Sequence, residues 1–268
     1  MTFQSNGLLT LTTDFGSRDG YVGAIKGAAL SVATEVRLVD LAHDLPPQDV
    51  LHAARVVAAA APRFPVGTVH VVVIDPGVGT ARAPVAMTAG GHAFVGPDNG
   101  LFSLAVESLG GVTACHRIDA HAHAAEPPSA TFHGRDLFAP TGAALAVGLL
   151  EIGDVGPPCQ PTLVTAEAST ESQDGRVVGC VVLVDRFGNL VTNIRSEALD
   201  GLGDAVAVTA GATTVRLSRT YGDVAVGAPV ALVGSEGWLE IAVRDGSALD
   251  VLALGKGTTV IASAADQR

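Results

Sequence analysis

The 268-residue sequence predicts an α/β protein with two parts. An N-terminal α/β domain carries a mainly parallel sheet, and a small antiparallel β-barrel follows it. Three observations predict this. β-rich runs alternate with stretches of helical spacing up to about residue 150, which is the rhythm of a parallel sheet covered by helices. One run, TVHVVVID, is apolar throughout, as in strands buried on both faces. After a Gly/Pro-rich stretch, GDVGPPCQPTLV, helical periodicity gives way to short β-rich runs separated by Gly, Asn and Asp turns. The domains are placed at 1–160 and 174–268, with a linker between them.

LLTLTTDF is β-rich and ends at Asp14. In DGYVGAIKGAALSVAT, Val22, Ile25, Ala29 and Val32 recur at helical spacing, and Asp19 stands where an N-cap is expected. VRLVDL is a short strand, and His43 and Asp44 read as turn residues. A helix is predicted over about Asp49–Ala60. TVHVVVID ends at Asp75, HAFVGPDNG is a strand and tight turn, and LFSLAVESLG and DLFAPTGAALAVGLL are helical. His121 and His123 read as surface loop residues. The second domain offers seven strands: VVGCVVLVD, LVTNI, AVAVTA, TTVRLS, APVALVG, WLEIAV and TTVIAS.

Composition narrows the function. Nearly half the residues are apolar, enough for a full core. The net charge is −11, which disfavours nucleic acid and anionic membranes as partners. No apolar run approaches the ~20 residues of a membrane span. No secretory signal is visible at the start, and the three cysteines lack metal-ligand spacing, so a cytoplasmic protein without a disulfide scaffold is expected. There is no HExxH motif for a metal and no GxSxG nucleophile elbow.

Asp14 and Asp75 both end predicted strands, and in open α/β sheets ligands bind beyond the carboxyl ends of strands. Each carboxylate is either a site residue or a cap for its own loop. The loop DPGVGTAR lacks the Gly-Lys-Ser/Thr of a phosphate cradle. Arg82, seven residues after Asp75, can return as a bidentate partner or form an ordinary ion pair. His133, between Phe132 and Gly134, is either a general base or a solvated loop histidine. In the second domain Asp185, Phe187 and Asn189 share one predicted turn, and Ser235, Glu236 and Trp238 another. Each is explained by hairpin chemistry alone, or by recognition of a purine.

LTTDFGSRDGYVGAIKG, VVIDPGVGT, VGPDNG, TFHGRD, DRFGN and GSEGWLEIA occur in this order. Together they resemble the S-adenosyl-L-methionine hydroxide adenosyltransferases, or SAM hydrolases, relatives of the fluorinating and chlorinating SAM enzymes. The resemblance runs from about Leu8 to the final strands. It implies hydrolysis of S-adenosyl-L-methionine (SAM) to adenosine and L-methionine without a metal or organic cofactor. It also implies a homotrimer whose sites lie between the N-terminal domain of one subunit and the C-terminal domain of the next.

The family's Asp-Arg-His set falls on Asp75, Arg82 and His133, with either His133 or Asp75 taking the proton. By the same carry-over, Asp14 holds the ribose hydroxyls, Asp19 and Asp185 meet the methionine ammonium, and Asn189 reads the adenine edge. Phe132 and Phe187 supply apolar walls, and Ser235 contacts the methionine carboxylate. Glu236, Trp238 and Val243 complete the implied binding set. The halogenating branch has an arginine where Glu236 stands and a tryptophan where Gln48 stands, and an insertion of its fluorinating members is absent here. A SAM halogenase and a non-catalytic SAM or adenosine sensor are the rival readings.

Overall fold

A computed structural model describes residues 2–119, 127–164, 171–173, 175–203 and 205–265. The chain divides into two compact units, Met1–Ala166 and Glu167–Arg268.

The first unit is built on a six-stranded sheet. Its strands are β1 (Leu8–Thr13), β2 (Arg37–Ala42), β3 (Val69–Val73), β4 (Pro84–Ala89), β5 (His92–Pro97) and β6 (Val112–Arg117), in the spatial order β2-β1-β3-β5-β4-β6. β2, β1, β3 and β5 pair in parallel. β4 and β6 add antiparallel pairings. β4 and β6 are the two strands that helical periodicity did not reveal. The signal for β4 is the Gly90–Gly91 dipeptide between PVAMTA and HAFVGP. Both glycines have positive φ, 56° and 85°, as a two-residue hairpin turn requires.

Helices α1 (Tyr21–Val32), α2 (Val50–Ala60), α3 (Ser103–Ser108) and α4 (Ala139–Ala146) flank the sheet. α2 starts where predicted, because the Asp49 side chain accepts a hydrogen bond from His52 N and caps it. α1 corrects the sequence reading: its N-cap is Gly20, no side chain caps it, and Asp19 lies exposed just before it. Ile25 and Ala29 of α1 join Leu9, Leu11, Val71 and Phe138 in one buried cluster. A second cluster gathers Val57, Val72, Ile74, Met87, Phe94 and Phe102.

The expected linker is also corrected in part. Arg117 N donates to Pro157 O and Cys159 N to Cys115 O, and Thr162 N donates to the Asp98 carboxylate. Residues 157–162 are thus fastened to the first unit as an added edge. This brings the Cys115 and Cys159 sulfurs to 3.4 Å, both as free thiols. His121 and His123 lie outside the described residues.

The second unit contains β7 (Glu171–Gln173), β8 (Arg176–Val184), β9 (Leu190–Arg195), β10 (Val206–Ala210), β11 (Thr213–Ser218), β12 (Pro229–Val233), β13 (Trp238–Val243) and β14 (Thr259–Ala264). Their order is β14-β10-β11-β12-β13-β9-β8-β7, and an additional β14–β8 pairing closes a seven-stranded barrel. β7 pairs outside that ring with β8. Pairing is antiparallel except between β11 and β12, which run parallel. Alternation decides what fills the barrel. Leu239, Ile241 and Val243 of β13 point into a core with Val181, Leu190, Val208 and Val260. A short helix, α5 (Ala248–Leu252), is capped by Ser247, whose hydroxyl accepts from Asp250 N.

Candidate active site

Asp75 stands just beyond β3, at the carboxyl end of the parallel strands. The chain then turns twice, with Val78 N donating to Asp75 O and Thr80 N to Gly77 O. Gly79 adopts φ +75°, and a Cβ there would come within 2.8 Å of Ala130 O. Only glycine lets this loop lie so close to the segment that leads to His133.

The loop returns Arg82 to Asp75. Arg82 Nε donates to Asp75 Oδ1 at 3.0 Å, and Nη2 donates to Oδ2. The pair is bidentate and its side chains are only 7% and 6% exposed. Arg82 Nη2 also lies 3.1 Å from His133 Nδ1. Guanidinium nitrogens are donors only, so in this contact Nδ1 is the acceptor and a neutral His133 carries its proton on Nε2. Burial first, and then the Arg82 charge, hold the His133 imidazole below its ordinary pKa, partly opposed by Asp75 and Asp136. Arg82 Nη1 is buried with no hydrogen-bond partner among the described residues. An unsatisfied buried N–H is costly, and on a cation it is a ready donor to an oxygen or an anion.

Phe138 supports this group from one side. Its ring centroid lies 5.4 Å from Arg82 Cζ and 6.3 Å from the His133 ring. Phe138 is fully buried, at the end of a π-helical turn, Gly134–Phe138, that follows His133. Its role was not read from the sequence. An aromatic five positions after the histidine, at the start of an alanine-rich helix, is the available signal. Phe132 belongs to an edge-to-face cluster with Phe15 and Tyr21, at centroid distances of 5.7 and 5.5 Å. The Arg135 guanidinium stacks over it at 4.9 Å.

Asp14 lies beyond β1. Its Oδ2 accepts from Gln48 N at 2.7 Å, and Gln48 has φ 64°, a left-handed conformation uncommon outside glycine. Asp14 thereby helps to hold Gln48 in this conformation. Asp19 is exposed.

In the second unit the sequence-predicted residues are gathered by two turns. Asp185 Oδ1 accepts from Phe187 N and Asn189 N, each at 2.8 Å, and Oδ2 accepts from Asn189 Nδ2 at 2.9 Å. Asp185 and Asn189 therefore build their own turn, and this leaves Phe187 76% exposed at its tip. Glu240, on the outer face of β13, has its carboxyl raised above the usual range by burial and by the nearby Asp185. Tyr221 donates to it at 3.4 Å. In the second turn Ser235 Oγ lies 3.4 Å from Glu236 Oε1. Trp238 is covered on one face by the Arg195 guanidinium, 3.8 Å from the ring centroid. Val243 is 3% exposed and packs in the barrel core, so its side chain offers no binding surface. Among the described residues, no group of three or more His, Cys, Asp or Glu side chains is placed to hold a metal ion.

Comparison with known proteins bears on this arrangement. The SAM hydroxide adenosyltransferase N-terminal domain matches residues 9–156, and the corresponding C-terminal domain matches residues 179–261. This chain belongs to the SAM hydroxide adenosyltransferase family. An (R)-S-adenosyl-L-methionine hydrolase of Thermus thermophilus is 42% identical over 92% of this chain and 96% of that protein. Another, of Salinispora tropica, is 38% identical over 93% and 95%. A fluorinase of Actinopolyspora mzabensis is more distant, at 26% identity. A crystal structure of an uncharacterized conserved protein from Thermotoga maritima superposes with a TM-score of 0.86. It is 32% identical and covers 95% of this chain and 99% of that one. Among the described residues, no helix is long and apolar enough to cross a membrane.

Proposed function

We propose that this protein hydrolyses S-adenosyl-L-methionine to adenosine and L-methionine, with Asp75, Arg82 and His133 as the catalytic group. The carrying observation is the buried cation Arg82, bound on two sides and with Nη1 left over, beside a histidine whose Nδ1 is occupied. The sulfonium is already a good leaving group. The nucleophile is what needs help, because water attacks poorly and must lose a proton as it does so.

In the reaction, the water oxygen forms a bond to the ribose C5′ as the C5′–S bond breaks. The bonding pair leaves with sulfur, which becomes the neutral thioether of methionine. Arg82 Nη1 and His133 Nε2–H donate to the attacking oxygen and favour its hydroxide form. The displaced water proton passes to solvent. Asp75 holds Arg82 in register and balances its charge. This reading makes His133 a donor to the nucleophile rather than its base. Holding the oxygen in line contributes several kcal/mol, below the ~7–11 kcal/mol reached by fully oriented intramolecular reactions. The two donors act before the attack: by stabilising hydroxide over water they lower the pKa of the bound water and raise the fraction present as the better nucleophile.

The remaining assignments are proposals on the same footing. Asp14 receives the ribose hydroxyls, and Asp19 and Asp185 the methionine ammonium. Asn189 takes the adenine edge, Phe132 and Phe187 line the site, and Ser235 takes the carboxylate beside Glu236 and Trp238. A homotrimer that joins the two halves of the site across subunits, the division at 1–160 and 174–268, the absence of a cofactor and a cytoplasmic location complete the proposal. The relatives' name specifies the (R) configuration at sulfur, and the same epimer is proposed here.

The test is incubation with each SAM epimer, with and without fluoride or chloride, followed by chromatography. Adenosine at a rate indifferent to halide is expected. A halide-dependent 5′-halo-5′-deoxyadenosine, or tight binding with no product over hours at micromolar enzyme, overturns the reading. Because His133 acts as the neutral imidazole, activity is expected to hold below pH 6.5. It falls only as pH drops through the depressed pKa, when a proton on Nδ1 breaks the contact with Arg82.

A further inference from the structure

The loop between β3 and β4 has a topological problem. These strands are not neighbours, because β5 lies between them in the sheet. The loop that carries Asp75 and Arg82 must therefore cross the carboxyl end of β5. The turn after β5, Pro97-Asp98-Asn99-Gly100, lies where the loop crosses.

That turn grips both ends of the loop. At one end, Asn99 Nδ2 donates to Ile74 O at 3.0 Å. At the other, Asp98 N donates to Ala83 O at 2.9 Å. Ile74 immediately precedes Asp75, and Ala83 immediately follows Arg82. The Asn99 amide is fixed by its two partners. The Leu101 N–H, 3.2 Å away, requires Oδ1, and the Ile74 carbonyl requires Nδ2. The turn is itself tied down, since the Asp98 carboxylate accepts from Thr162 N at 2.7 Å and Thr162 Oγ1 at 2.9 Å.

We propose that Asn99 is a positioning residue for the hydrolytic group: its amide clamps the Ile74–Asp75 peptide so that Asp75 meets Arg82 bidentately. Arg82 in turn presents Nη2 to His133. Asn99 touches none of the three directly and acts through the backbone of Ile74. The buried ion pair has two donor–acceptor contacts to keep, so a rotation of that peptide disturbs both. Displacements near 1 Å in such sites cost on the order of 10²-fold in rate. The inference rests on the proposed hydrolysis for its kinetic consequence, and on geometry alone for its effect on His133.

The test uses the full-length protein with Asn99→Asp and Asn99→Ala. Asp keeps the acceptor for Leu101 N and replaces the donor to Ile74 O by a second acceptor. Ala removes the donor without adding a charge, and it serves if the first variant does not fold. Two quantities are read: kcat and KM for SAM, and the His133 imidazole pKa by NMR, its signal assigned by loss in His133→Gln. Both variants are expected to lower kcat by about 10- to 100-fold with KM within about twofold. In both, the His133 pKa is expected to rise toward 6.5 as Arg82 loosens. Unchanged kcat with an unchanged His133 pKa overturns the clamp. So does a fall in kcat matched by a rise in KM with the pKa unmoved, which describes general loosening. If the unsubstituted protein yields no adenosine, the proposed reaction fails, and the pKa comparison still decides the clamp.

Discussion

The candidate residues of the two units are held in opposite ways. In the first unit, Asp75 and Arg82 are almost fully buried and spend their hydrogen bonds on each other and on His133. In the second, Asp185 and Asn189 satisfy each other within one turn, and Phe187 stands 76% exposed at its tip. The first arrangement holds a buried cation in a fixed bidentate geometry. The second spends its polar groups on shaping a turn: Asn189 is itself buried, and only Phe187 is left at the surface. The units also differ in what titrates. All eight histidines lie in the first unit.

The largest effect that tests this contrast is expected at Arg82. Arg82→Lys keeps the charge, so Asp75 is not left alone in a buried site, an outcome that costs about 3–5 kcal/mol. It removes the fork and Nη1. A fall of about 10²- to 10³-fold in kcat with little change in KM is expected from initial rates of adenosine formation. His133→Ala is expected to lower turnover at least tenfold with the fold intact by circular dichroism. Near wild-type rates in both would place the chemistry elsewhere.

A second effect concerns stability in acid. His70 is buried against His92, hydrogen-bonded to Thr10, and pushed down to about 3 by burial first and the His92 charge second. His92 and His133 are lowered in the same direction. Below about pH 6.5 the unfolded chain takes up protons that these folded imidazoles refuse, so stability falls as pH falls through that range. Each such group steepens the loss by up to about 1.4 kcal/mol per pH unit. Denaturant unfolding of His70→Gln should show a flatter dependence than the parent between about pH 6 and 4. Equal slopes would remove the buried pair as the acid-sensitive element.

The smallest effect is expected in the second unit. Asp185→Asn should raise KM about two- to fivefold, the scale of losing the proposed contact with the methionine ammonium, and leave kcat within about twofold. A collapse in kcat would erase the distinction between the units.

Legibility in the sequence follows the same division. The seven barrel strands were readable because each alternates or runs apolar between Gly, Asn or Asp turns. Strand-end acids pointed to Asp14 and Asp75. What periodicity does not encode is contact across the chain: His133 lies 51 residues from Arg82, and the close approach of the Gly79 loop to Ala130 accompanies their direct contact. Their union was drawn from family resemblance. β4 and β6 escape a pattern of parallel strands joined by helices because they pair antiparallel, β4 through the Gly90–Gly91 hairpin. Asp19 has the residue type of a cap, yet the N-cap falls one residue later, at Gly20. Asn99 reads as an ordinary turn residue, since nothing in its local pattern marks it off, and Phe138 is signalled only by its spacing from His133.

The most direct test of the central claim is a turnover of SAM in ¹⁸O-water, with the adenosine analysed by mass spectrometry. The account predicts one ¹⁸O in the 5′-hydroxyl, formed by the parent protein and lost in rate, not in position, in Arg82→Lys. Adenosine without the label, or a product cleaved at another carbon of the sulfonium, would contradict attack by water at C5′.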